Sequence, residues 1–147
     1  MKYHEALQTL GKNFDPFLHI KSQEVVDESD NFFVIPARAP YVEDHLLIVP
    51  KRRIYVVKDM EHNEKIEMFE LLESWTIKLH KRHPDVNLLL RDGLVGGNTK
   101  KSFNHLHFHL IPDCPIGAEN DLNSENRKWF DDDEYVEIAE KIKKSFL

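Results

Sequence analysis

His105-Leu106-His107-Phe108-His109-Leu110-Ile111 alternates imidazole with apolar side chains. Period-two alternation is the pattern of a half-buried strand, which would put the three imidazoles on one face and Leu106, Phe108 and Leu110 on the other. Alternate residues on such a face stand roughly 6.5 to 7 Å apart, within reach of one small ligand. The chain has 9 histidines in 147 residues, a frequency at which His-x-His-x-His arises by chance only about 0.03 times. Three chemistries suit the face. It can be an idle hydrogen-bonded surface, it can offer neutral imidazoles to zinc, or one imidazole can attack while its neighbours supply hydrogen bonds and a proton.

Working outward, Gly93, Gly96 and Gly97 punctuate a loop from Asp92 to Lys101 that follows a short apolar strand at Asn87 to Leu90. Before it, Met68, Leu72, Trp75 and Leu79 repeat at i, i+4, i+7 and i+11, the stripe of an amphipathic helix, with Asp59 as its expected cap and Pro84 beyond its end. Phe32 to Ile35 and His45 to Val49, each stopped by a proline, read as antiparallel strands joined by Ala37 to Asp44. A charged strand is expected at Ser22 to Val26, a turn at Asp27 to Asn31 and a short helix at His4 to Leu10. Asp131 to Phe146 reads as a second amphipathic helix, with Tyr135, Ile138, Ile142 and Phe146 on one side. Its acidic opening suits a helix N-terminus better than a metal site. The fold class is α+β, a largely antiparallel sheet of about five strands with one long helix and a C-terminal helix.

At 147 residues and 17.4 kDa the chain has the size of one domain. With 41% hydrophobic and 31% charged residues, disorder and fibrous or disulfide scaffolds are excluded. A net charge of -6 argues against a general nucleic-acid coat, yet a local cluster can still hold a phosphate. The single cysteine, Cys114, allows neither an internal disulfide nor a Cys-rich zinc site. No apolar run approaches membrane length and the opening residues carry no apolar signal region, so the expected setting is a reducing cytoplasm.

The segment His105 to Ile111 resembles the signature of the histidine triad (HIT) family, His-apolar-His-apolar-His and two further apolar residues. Upstream, His45-Leu46-Leu47-Ile48-Val49-Pro50-Lys51-Arg52 resembles the family's His-apolar run closed by Pro-Lys. The order of strands, long helix, glycine loop and triad strand is similar too. The resemblance implies one HIT-like domain over residues 1–147, with a core at about 20–115 and a helical tail at about 125–147.

The chemistry implied by the resemblance is nucleotide hydrolysis. His107 would attack the α-phosphorus of a nucleotide to form a nucleotidyl-imidazole that water then cleaves. A free pKa near 6.5 leaves enough neutral imidazole for attack at physiological pH. The second ring nitrogen of His107 would donate to a main-chain carbonyl. His109 would contact the phosphate or bridging atom, while His105 and His45 organise the pocket. Histidine at the third triad position, where the family's transferases carry Gln, favours hydrolysis. A dinucleoside polyphosphate is the first expectation for substrate and a nucleoside phosphoramidate the second. A non-catalytic nucleotide-binding protein and a zinc-dependent hydrolase are the alternatives from other classes. No cofactor is required, although a divalent cation could ride on a polyphosphate. The family's homodimers imply a partner face on the long helix, for which Met68, Leu72 and Trp75 are candidates.

For the phosphate, ungapped spacing from the triad selects Ser102, whereas Gly97-Asn98-Thr99 resembles the family's Gly-Gln-Thr/Ser and selects Asn98. Lys101 stands in the same loop. Arg91 occurs where relatives carry Asn or Gln, and is read either as a ligand for an extra phosphate or as a strand-end charge. Ala37-Arg38-Ala39 lacks the carboxylate that relatives often use for the ribose. Lys51, Arg52 and Arg53 are expected as exposed charges and Trp129 and Phe130 as packing for the last helix. His4, His19, His62, His80 and His83 are expected at the surface.

Overall fold

The computed structural model describes residues 1–11, 13–99, 101–116 and 127–147. Lys100 of the glycine loop and residues 125 and 126 of the expected tail lie outside these. Five strands, β1 (Asp27–Glu28), β2 (Phe32–Pro36), β3 (Leu46–Pro50), β4 (Val86–Leu90) and β5 (Phe108–Pro112), form an antiparallel sheet in the order β1-β2-β3-β5-β4. Among the described residues three α-helices accompany it, α1 (Tyr3–Leu10), α2 (His62–Leu79) and α3 (Asp132–Phe146).

Strand alternation sorts the sheet's two faces. Phe32, Val34, Leu46, Ile48 and Leu110 share a core with Met68, Leu72, Trp75 and Leu79 of α2 and with Ala139, Ile142 and Phe146 of α3. Ile35, Leu47 and Val49 face the other way, against Phe17 and Phe103, with Leu7, Leu10 and Trp129 packed on that cluster. His109 pairs with Leu47 across β3 and with Leu89 across β4, so the middle of the sheet carries it.

Four expectations shift. Ser22–Glu24 is a 3-10 turn, and the short edge strand β1 forms within the expected turn, where Trp75 donates its indole N–H to Asp27 at 2.9 Å. Asp59 does not cap α2. It closes a 3-10 turn at Val57–Asp59, and Glu61 is the cap residue, its N–H donating to Glu64 at 2.8 Å. Arg52 and Arg53 are exposed as expected and Lys51 partly so, and each also pairs with a carboxylate, Arg52 with buried Glu64, Lys51 with Glu28 and Arg53 with Asp15. The triad strand begins at Phe108 rather than His105. Residues ahead of it leave the ladder, and Leu106 donates instead to the Ile54 carbonyl at 2.6 Å.

His83 is the fourth. It bridges two carboxylates, with Nε2 2.7 Å from Asp44 and Nδ1 2.8 Å from Asp113, and its side chain is 16% exposed. Both aspartates adopt positive φ at chain bends beside the triad's strands. Burial lowers the imidazole's pKa, but the two carboxylates outweigh it and hold the net value above the ordinary one. With a raised folded pKa, the bridge contributes fully below the unfolded value near 6.5 and weakens as pH rises through the folded one. His83→Asn is expected to cost about 1–3 kcal/mol at pH 6, with a smaller deficit at pH 9. Thermal unfolding across that range checks it, and a deficit that grows with pH contradicts the bridge.

Candidate active site

His45 precedes β3, His109 lies on β5, and His105 and His107 lie in the segment leading into β5. Their hydrogen bonds determine where each proton resides. The Tyr41 main-chain N–H donates to His45 Nδ1 at 3.2 Å, so neutral His45 carries its proton on Nε2. That proton points at His109 Nδ1, 2.9 Å away. His109 therefore keeps its own proton on Nε2, a buried nitrogen with no partner among the described residues. His107 turns Nδ1 back onto the His105 carbonyl at 2.7 Å, which fixes the proton there and leaves Nε2 with the lone pair. His105 faces acceptors on both sides, Asp15 Oδ2 at 2.7 Å and the Pro50 carbonyl at 2.8 Å, and serves as a buried brace.

Burial pushes His107 down to about 4, partly opposed by its bond to the His105 carbonyl and assisted by Lys101 and Arg91. Burial likewise lowers His45 to about 3 and His109 well below the ordinary range, with Arg91 and Arg127 adding to both. Three neutral imidazoles thus line a cavity of about 560 Å³ whose wall also carries Arg91, Lys101 and Arg127. Neutral donors, one lone-pair nitrogen and fixed cations suit an anionic substrate.

The expected residues separate clearly. Ser102 lines the cavity, its hydroxyl hydrogen-bonded to that of Tyr3, and Arg91 lines it too. Lys101 is buried in the wall, its ammonium donating to the carbonyls of Tyr55 at 2.7 Å and Gly93 at 2.8 Å, so it anchors the loop as well as charging it. Asn98 is exposed and outside the lining, so of the two candidates Ser102 is the one at the cavity. Trp129 packs on the sheet and also faces the cavity, stacked 6.2 Å from Tyr3. Met68, Leu72 and Trp75, named for a partner face, are core residues, because their stripe faces the sheet. Among the described residues no group of three His, Cys, Asp or Glu side chains is placed to hold a metal ion.

Several residues at or behind the cavity wall escaped the motifs. Asp15 orients His105 across a sequence gap with no spacing rule, and Tyr3 and Arg127 arrive from the two ends of the chain. Glu24, buried in the lining, supplies a carboxylate that Ala37-Arg38-Ala39 lacks. No spacing rule singles them out, because tertiary packing sets their proximity to the triad and one sequence does not show it.

Comparison with known proteins agrees with this geometry. Residues 19–115 match the HIT domain. An uncharacterized HIT-like protein of Chlamydia muridarum is 35% identical over 99 residues, 63% of this chain and 73% of that one. The bis(5'-adenosyl)-triphosphatase of Dictyostelium discoideum is 27% identical over 109 residues, 74% of this chain and 70% of its own. In fold, the chain resembles the Plasmodium falciparum diadenosine triphosphate hydrolase solved with cyclomarin A, at a TM-score of 0.63 and 20% identity over 98% of this chain and 95% of that one. An antiparallel sheet with His45, His107 and His109 gathered at one cavity, in a chain whose residues 19–115 match the HIT domain, makes this chain a member of the HIT domain family.

Proposed function

We propose that the chain hydrolyses nucleotide phosphoanhydrides, with a dinucleoside polyphosphate as substrate, through a nucleotidyl intermediate on His107. The observation that carries this reading is the His105 carbonyl, which holds the His107 proton on Nδ1 and leaves Nε2 as a lone-pair nucleophile at a cationic cavity. The named activity of the Dictyostelium relative supports the same class of substrate. In the first step the Nε2–phosphorus bond forms and the bridging P–O bond breaks, the electron pair leaving with oxygen. Water then forms a P–O bond, the P–N bond returns its pair to Nε2, and the water's proton passes to solvent.

His109 presents its Nε2–H to the leaving oxygen, and His45 fixes that tautomer. A neutral N–H stabilises a departing phosphate oxygen without giving up its proton, whereas an amine leaving group needs the proton itself, which favours the anhydride over the phosphoramidate. Ser102 and Arg91 take phosphate oxygens, and Lys101 adds field from its anchored position. A divalent cation would enter with the polyphosphate rather than as a resident cofactor.

A homodimer fits this reading. On the outward side of α2, Ile66 is 48% exposed, Phe69 62% and Ile77 60%, and Leu88 on the edge strand β4 is 51% exposed. These residues offer an unshared apolar face for a second copy.

His107→Ala is expected to lower turnover of diadenosine tetraphosphate roughly 10³-fold or more while nucleotide affinity changes little. The assay is run with and without a divalent cation. Activity that survives the substitution overturns the histidine mechanism. Because His107 titrates near 4 rather than near 6.5, kcat/KM for this substrate should stay level from pH 8 to about pH 5.5. An acid limb centred near pH 6.5 would contradict the buried, neutral nucleophile. Phe69→Glu should convert a sedimenting dimer to monomer, and an unaltered chain that sediments as a monomer removes the dimer.

A further inference from the structure

We propose that Arg127 binds the phosphates on the leaving-group side of the reacting phosphorus and so sets the chain's preference for polyphosphate substrates. This rests on the hydrolase reading above. Arg127 lies beyond the residues matched to the HIT domain, in the segment before α3. A clasp between the chain's two ends holds it there. Tyr3 donates its main-chain N–H to the Arg127 carbonyl at 2.7 Å, Trp129 donates to the Met1 carbonyl at 2.9 Å, and Lys2 and Lys128 form an antiparallel bridge between them.

The side chain is aimed rather than loose. Its Nε donates to the Ala39 carbonyl at 2.8 Å, and the guanidinium carbon lies 3.9 Å from the Tyr41 ring centroid and 4.6 Å from that of Tyr3. Two tyrosines and a carbonyl therefore fix the plane while leaving Nη1 buried without a partner among the described residues. Other arginines are spent differently. Arg38 donates to the Phe130 carbonyl and pairs with Asp132, Arg52 pairs with Glu64, and Arg53 pairs with Asp15. A buried charged donor without an acceptor is costly, and an anion entering the cavity would remove that cost.

Position relative to the triad gives the side. Arg127 packs on Tyr41, whose ring centroid lies 5.7 Å from that of His45, and His45 bonds His109 at 2.9 Å, so the guanidinium stands on the His45–His109 side of the cavity. In the proposed reaction His109 faces the departing oxygen. Arg127 and the Nε2–H of His109 thus supply two donors, without partners among the described residues, on the leaving-group side of the same cavity. The guanidinium fork suits the paired oxygens of a phosphate.

The test compares diadenosine tetraphosphate with adenosine 5'-phosphoramidate, whose reacting phosphate carries no further phosphate. In Arg127→Gln the ratio of the two kcat/KM values should fall about ten- to a hundred-fold toward the phosphoramidate, and Arg127→Lys, which keeps charge but loses the fork, should fall between. Equal losses on both substrates, or none on either, overturn the assignment. A second arm needs no turnover. Calorimetric affinity for tripolyphosphate in His107→Ala protein should weaken about ten-fold when Arg127→Gln is added. Unchanged affinity also overturns it. If the unaltered chain hydrolyses neither substrate, the hydrolase reading fails, and the tripolyphosphate arm still decides Arg127.

Discussion

The hydrogen bond from His107 Nδ1 to the carbonyl two residues earlier in its own chain, 2.7 Å long, is the constraint from which the site's geometry follows. A carbonyl turned toward a side chain is unavailable to a neighbouring strand, and the triad segment joins the ladder only at Phe108. Upstream residues need other partners. Leu106 donates to Ile54, and His105 bridges Asp15 and the Pro50 carbonyl. Phe17 packs 5.3 Å from the His105 ring and 5.1 Å from the His107 ring, closing this arrangement with apolar contact. One tautomer at His107 is thus tied to the placement of β3, the segment around Asp15 and the approach to β5.

Burial supplies the second half of the chemistry. Imidazoles near water would share their proton with solvent at physiological pH, but here desolvation and nearby cations keep His45, His107 and His109 neutral. Because the rings are neutral, they act as directed donors and acceptors, and the positive field comes from Arg91, Lys101 and Arg127. The sheet permits this division of labour by giving its opposite face to the α2 and α3 core, so the cavity face can be polar without weakening the main hydrophobic cluster.

Sequence alone determined the local pattern. Alternation of His with Leu106, Phe108 and Leu110 separated the two faces, the spacing of Met68, Leu72, Trp75 and Leu79 identified α2 and its buried stripe, and the prolines closed β2 and β3 near the expected residues. Together with the HIT resemblance, these local signals brought the fold class and the four histidines into view, since side-chain periodicity follows directly from backbone geometry. Only the tertiary structure decided what depends on distant chain segments meeting. It put Ser102 in the cavity wall and Asn98 outside it, drew His83 between Asp44 and Asp113, and brought Asp15, Tyr3 and Arg127 to the triad. Asp15 and His105 are 90 residues apart, and no periodicity links them. Their meeting is set by the packing of the whole sheet, as are the burial and electrostatic fields that shift a pKa.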